Sequence, residues 1–202
     1  MNALALNSVK KYSIAEYLQK ESTSKERHEY QNGWIINMAG GSYNHSKIIG
    51  NTMGQLNRLL ETSNCAEFDS NLKVYIDSSN AFVYPDTMVI CGQPEFYENR
   101  KDIITNPMLI IEVLSPSTAS YDRSEKFIQY RSLPSFKEYV LIASDRPLVE
   151  TFYREDDTYW RISSAIGLES NIHLYSINHT IPLKAIYRKT IDLQNVQTRL
   201  DL

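Results

Sequence analysis

The sequence predicts one α/β domain in which a mixed β-sheet carries helices on its faces. Three observations lead there. Ile48, Ile49, Met53, Leu56, Leu59 and Leu60 recur at helical spacing. Short β-type runs then follow in quick succession between Ala66 and Ser115. Finally, a strand, a helix and a strand succeed one another between Met108 and Ala143. A helical crossover makes parallel neighbours and a hairpin makes antiparallel ones, so a sheet containing both is mixed. A chain of 202 residues, 42% hydrophobic and 22% charged, has the balance of one compact domain. That domain is expected over residues 1–187, with a polar tail over 188–202 where the pattern is lost.

Ser13 stands where an N-cap would, with Glu16 at the capping-box position and Ile14, Tyr17 and Leu18 behind it, so a short helix opens the fold. Arg27–Gln31 and Trp34–Met38 flank Asn32-Gly33, the dipeptide of a type I′ hairpin turn. A long amphipathic helix runs from about Asn44 to Glu61. Strands are expected at 66–68, 72–77, 81–91 and 108–115, then a helix from Thr118 to about Ser132, stopped by Leu133-Pro134. Strands return at 138–143, 148–154 and 159–163.

Composition narrows the function. The longest apolar run, Met108–Leu114, is interrupted by Glu112 and is far shorter than the ~20 residues that span a bilayer, so no membrane segment is expected. Cys65 and Cys91 lack metal-type spacing and read as two core thiols of a reducing, cytoplasmic compartment. The net charge of -3 means that any surface for nucleic acid must be local, since affinity for phosphates comes from Lys and Arg. Basic residues thicken only around Arg100-Lys101, Arg123, Lys126 and Arg131.

Two acids stand out. Glu112 lies in Met108-Leu109-Ile110-Ile111-Glu112-Val113-Leu114, a run that otherwise demands a fully buried strand. A buried carboxylate persists only if paired, protonated or bound to a cation. The alternative to a functional role is a glutamate satisfied by one arginine or a backbone amide. Asp86 follows Pro85 inside a second apolar run, and by itself Pro-Asp is also ordinary turn chemistry. Together, two acids on adjacent strands would repel, and a divalent cation between them removes that repulsion while acting as a Lewis acid.

Glu29-x3-Gly33, Met38–His45, Tyr84-Pro85-Asp86, and Ile111-Glu112-Val113-Leu114-Ser115-Pro116-Ser117-Thr118 with Tyr121-Asp122-Arg123-x2-Lys126 occur in order along the chain. In these segments, from about Ser13 to Tyr153, the sequence resembles the bacterial restriction-endonuclease family of the PD-(D/E)XK nuclease superfamily. The resemblance implies a restriction-endonuclease-like core, a mixed sheet flanked by helices, and Mg²⁺-dependent hydrolysis of phosphodiester bonds, with DNA as substrate and Mn²⁺ as a substitute metal. It also implies that Glu29 matches an upstream acid that helps hold metal and that His45 matches a family position. The superfamily lysine two residues after the second acid is replaced here by Leu114. Lys126, on the following helix, is the candidate replacement because its stripe with Ala119, Arg123, Tyr130 and Leu133 faces the sheet. A surface i,i+4 pair with Asp122 accounts for Lys126 equally well. A strand glutamate in solvent and a histidine that caps or packs are the corresponding plain readings of Glu29 and His45.

The expected mechanism places Mg²⁺ on Asp86, Glu112 and the main-chain carbonyl of Val113, with Lys126 orienting or deprotonating the attacking water. A homodimer would allow two-strand cutting, although no residue indicates one. The rival expectation is a catalytically inactive module that keeps the nuclease fold and binds nucleic acid or a protein partner.

Overall fold

A computed structural model describes residues 10–38, 40–115 and 118–195. The opening helix α1 (Ile14–Thr23) is closed by the expected capping box: Ser13 Oγ accepts from the Glu16 amide, and Glu16 Oε2 accepts from the Ser13 amide. Strands β1 (His28–Gln31) and β2 (Trp34–Asn37) pair antiparallel with Gln31 opposite Trp34. Their turn puts Asn32 at φ 44 and Gly33 at φ 99, the left-handed geometry for which Asn-Gly is suited. Helix α2 (Tyr43–Leu60) is capped by Ser42, whose hydroxyl accepts from the His45 amide.

The run from Ala81 to Cys91, expected as one strand, is two strands in two sheets. β5 (Ala81–Val83) joins β1, β2, β4 (Lys73–Ile76) and β7 (Ile103–Ile104) in a five-stranded sheet. β6 (Thr87–Cys91) joins a six-stranded sheet ordered β11-β10-β9-β8-β6-β3. Here β3 is Cys65–Asp69, β8 Leu109–Leu114, β9 Glu138–Ala143, β10 Leu148–Arg154 and β11 Trp160–Ile166. Pro85 explains the break, because without an N–H it cannot continue a ladder and the chain changes sheet around it. The larger sheet is mixed as expected: β8 and β9 are parallel and its other pairs antiparallel.

Side chains alternate across β8. Leu109, Ile111 and Val113 pack with Ile48, Leu56 and Leu60 of α2 and with Leu183 and Ile186 of α5 (Leu183–Ile186). Ile110 and Leu114 face the other way, toward Tyr130, Phe136 and the second sheet. On that side a continuous helical stretch runs through α3 (Ala119–Tyr121), a π turn (Asp122–Lys126) and α4 (Phe127–Tyr130). The wider π turn changes the stripe expected for this stretch: Asp122 and Lys126 are buried, whereas Arg123 is exposed and paired with Glu150 Oε2 at 2.5 Å.

One further expectation is corrected. Cys65 and Cys91 are not separate thiols; they face one another across β3 and β6 and form a disulfide. Their separation of 26 residues hid a pairing that the antiparallel register creates. The thiol-based argument for a reducing compartment lapses with it. The stretch after Tyr187 is fastened as far as Gln194: the Asn44 side chain bonds both the N–H and the C=O of Ile191, and the Gln194 amide donates to the Asp145 carbonyl. A small hairpin of β12 (Asn171–Leu174) and β13 (His179–Pro182) precedes α5. No helix among the described residues is long and apolar enough to cross a membrane.

Candidate functional site

The sheet change at Pro85 creates the site. β6 pairs with β8 only up to Thr87 opposite Ile111. Beyond that point the Asp86 carboxylate serves the ladder, Oδ2 accepting from the Val113 N–H at 2.8 Å while the Asp86 N–H donates to Glu112 Oε2 at 3.2 Å. Asp86 and Glu112 are thereby held side by side in the lining of a cavity of about 370 Å³. Glu29, His45, Val113, Tyr121, Asp122 and Lys126 also line it. Every candidate residue named from the sequence therefore meets in one place.

Lys126 lies inside. Its Nζ is 2.8 Å from Glu112 Oε1 and 3.6 Å from both Glu29 Oε1 and Asp122 Oδ1. The i,i+4 contact with Asp122 exists, but it is buried, so the solvated surface pair is not what forms. Lys126 also changes the expected electrostatics of the acids, since Glu112 already has a cation from the protein. Burial pushes the Glu112 carboxyl up to about 8, with Lys126 as the main opposing influence and Asp86 and Asp122 reinforcing the rise. Burial by itself would lower the Lys126 ammonium, yet Glu112, Glu29 and Asp122 outweigh it and hold the amine charged well above its ordinary range.

His45 neither caps nor merely packs. Its Nε2 lies 3.2 Å from Asp86 Oδ2. Burial works against a charged ring, but the Asp86 hydrogen bond and charge, then Asp122 and the Val113 main chain, raise its pKa overall. The ring has room because residue 41 is glycine: a Cβ there would come within 2.7 Å of His45 Nδ1. Glu29 has its Oε1 fixed by the Tyr84 N–H at 3.1 Å. Tyr130, for which the sequence suggests no role beyond packing, donates its hydroxyl to Glu112 Oε1 at 3.1 Å. Asp122 likewise reads from the sequence only as a surface partner of Lys126. The spacing Asp122, Lys126, Tyr130 was the available signal, since four-residue steps place all three on one side of a helical stretch.

The donor set suits a hard divalent cation. Asp86 Oδ1 has no hydrogen-bond partner among the described residues, Glu112 Oε2 keeps a lone pair beyond its bond from Asp86, and the Val113 carbonyl, which His45 also touches, keeps a second lone pair. The cavity also holds an excess of acid, Glu29, Asp86, Glu112 and Asp122 against Lys126 and His45. No three His, Cys, Asp or Glu side chains among the described residues are arranged to hold a metal by themselves, so carbonyl and external oxygens would complete the shell. The expected basic surface is largely neutralised, Arg123 by Glu150 and Arg100 by Asp102.

Comparison with known proteins agrees with this architecture. The chain is 35% identical over 169 residues to the uncharacterized protein sll1609 of Synechocystis sp., covering 84% of this chain and 96% of that one. It is 35% identical over 178 residues to slr1290 of the same organism, covering 88% and 92%. The crystal structure of "a putative nuclease belonging to DUF820" from Anabaena variabilis superposes with a TM-score of 0.71 at 17% identity, over 87% of this chain and 97% of that one, which establishes a shared restriction-endonuclease-like fold. A family model described as "Putative restriction endonuclease" matches residues 14–177, and with most of its length inside that match the chain belongs to this family, Uma2.

Proposed function

We propose that this protein is a metal-dependent endonuclease that hydrolyses phosphodiester bonds in DNA. The observation that carries the reading is the meeting of Asp86, Glu112 and a buried, charged Lys126 at one cavity on a nuclease fold. Asp86, Glu112 and the Val113 carbonyl would hold Mg²⁺, or Mn²⁺ in its place. When bound, the ion supplies Lewis-acid polarisation of a phosphate oxygen.

The chain's own residues supply the rest. Lys126, kept protonated by three carboxylates, is a fixed positive charge for the extra negative charge that develops on phosphorus oxygens in the transition state. Charge fixed in advance requires no reorganisation as the reaction proceeds. Glu29 and Asp122, each 3.6 Å from the amine, also hold Lys126 and keep it in place when a ligand draws on Glu112. Tyr130 fixes Glu112 Oε1, which keeps Oε2 turned toward Asp86. His45 shares Asp86 with the proposed cation and, being positively charged at low pH, competes with it there. This arrangement gives the lysine absent at Leu114 a functional replacement, and Leu114 itself packs in the core.

Plasmid cleavage with Mg²⁺, with Mn²⁺ and with EDTA, for wild type and Asp86→Ala, tests the reading. Metal-dependent nicking or linearisation lost in Asp86→Ala is expected. A folded wild type that leaves DNA intact in both metals would sink the nuclease and leave the binding module in its place.

A further inference from the structure

Tyr121 takes no part in the carboxylate chemistry above, yet it lines the same cavity, and its hydroxyl ends a chain of two side-chain amides. Gln129 Nε2, on α4, donates to Gln31 Oε1 at 2.8 Å; Gln31 Nε2, at the end of β1, donates to the Tyr121 hydroxyl at 2.7 Å. The direction of this chain decides what Tyr121 can do. Reversing both amides would make Tyr121 donate to Gln31 and Gln31 donate to Gln129. That reversal has a consequence at the far end, where Gln129 Oε1 is buried without a partner. As it stands the orphan is a carbonyl oxygen; reversed, it would be an NH₂ with protons and no acceptor. An orphaned buried donor is the rarer and costlier of the two. The chain therefore runs Gln129 to Gln31 to Tyr121, and the phenol oxygen accepts.

A phenol that accepts from Gln31 still has its own proton to give. Burial, then the charge of Glu29, raises its pKa, so the proton stays on. Among the described residues no acceptor for it is found, and Tyr121 lines the cavity. We propose that Tyr121 is a substrate-binding residue whose O–H donates to a non-bridging oxygen of a phosphodiester in this cavity, with Gln31 and Gln129 as positioning residues that fix the direction of that donation. The assignment rests on the reading of the cavity as a phosphodiester site. It adds a neutral donor where the acid excess would otherwise repel an anionic backbone.

The test measures binding apart from cleavage. Fluorescence anisotropy with a labelled DNA oligonucleotide in Ca²⁺ would be compared for wild type, Tyr121→Phe, Gln31→Glu and the double variant. One hydrogen bond to a charged group corresponds to roughly a tenfold loss or more, expected for Tyr121→Phe. Gln31→Glu is expected to match it, because a carboxylate has no proton to give and draws the phenol proton backward. The double variant should bind no more weakly than either single one, a non-additivity that a merely structural role would not produce. Wild-type affinity in Tyr121→Phe, or additive losses in the double variant, overturns the assignment. Should Tyr121→Phe fold poorly, Gln31→Glu with an unchanged melting midpoint carries the same test. Wild type that binds DNA in Ca²⁺ but never cleaves it in Mg²⁺ refutes the nuclease reading, and Tyr121 is still judged on the affinities. Absence of binding by wild type overturns both.

Discussion

The two faces of β8 are built on opposite principles, although successive residues of one strand supply them. Leu109, Ile111 and Val113 enter an apolar layer closed by α2 and α5. One residue out of phase, Glu112 is only 3% exposed, with Lys126 and Tyr130 upon it and Asp86 alongside. The first face is complete in itself, and its cohesion comes from apolar surface removed from water. The second is stable only while its charges are balanced, and the balance stops short of neutrality. A face that retains excess charge in low dielectric retains the capacity to bind something that cancels it.

The sharpest break in this contrast is Lys126→Met. The structure surrounds Lys126 with Glu112, Glu29 and Asp122. Removing one partner of a buried ionic cluster costs about 3–5 kcal/mol. Urea unfolding in EDTA should show a loss of that order at pH 8.5, above the raised Glu112 value, and a smaller one near pH 6, where Glu112 is already neutral. The same loss at both pH values would mean that packing, rather than charge, is Lys126's contribution. Cleavage should also fall roughly a hundredfold or more.

The second test is the pH dependence of wild type itself. Glu112 has its folded pKa raised from 4.5 to about 8. An acid raised on folding contributes stability that is full below the unfolded value and is lost as pH rises through the folded one. In EDTA, therefore, wild type should lose stability between about pH 4.5 and 8, and Glu112→Gln should flatten that slope. Mg²⁺ should restore stability at the alkaline end for wild type alone. A wild-type melting temperature that rises over this window would contradict the assignment. The smallest effect belongs to the apolar face, where Ile142→Val should cost about 1 kcal/mol at every pH and with or without Mg²⁺.

Much of this contrast was legible in the sequence. An acid inside an otherwise apolar run marked Glu112, and local signals fixed the capping box at Ser13, the hairpin at Asn32-Gly33 and the stripe of α2. The unreadable parts depend on partners distant in sequence or on one-residue changes of geometry. Nothing local reveals that Ala81–Cys91 serves two sheets, although Pro85 marks where it could. The π turn exchanges Arg123 for Asp122 on the inner face, which regular helical periodicity cannot anticipate. Cys65 and Cys91 meet only through strand register. Gln31 shows no pattern at all, because its role exists only once β1 and the helical stretch have come together.

The change of sheet at Pro85 also bears on when the site comes into being. Glu29 belongs to one sheet, Glu112 to the other, and Asp86 follows the residue at which the chain passes between them. Lys126 arrives on a segment whose Tyr130 packs in the cluster that both sheets share. None of these pairs is close in sequence, so each contact closes a long loop and forms late relative to local structure. A chain emerging from synthesis, or one partly unfolded, would have its helices and the β1–β2 hairpin before it has the assembled centre. For an enzyme whose substrate is DNA, as proposed above, such an order of assembly ties the appearance of a cutting site to completion of the fold.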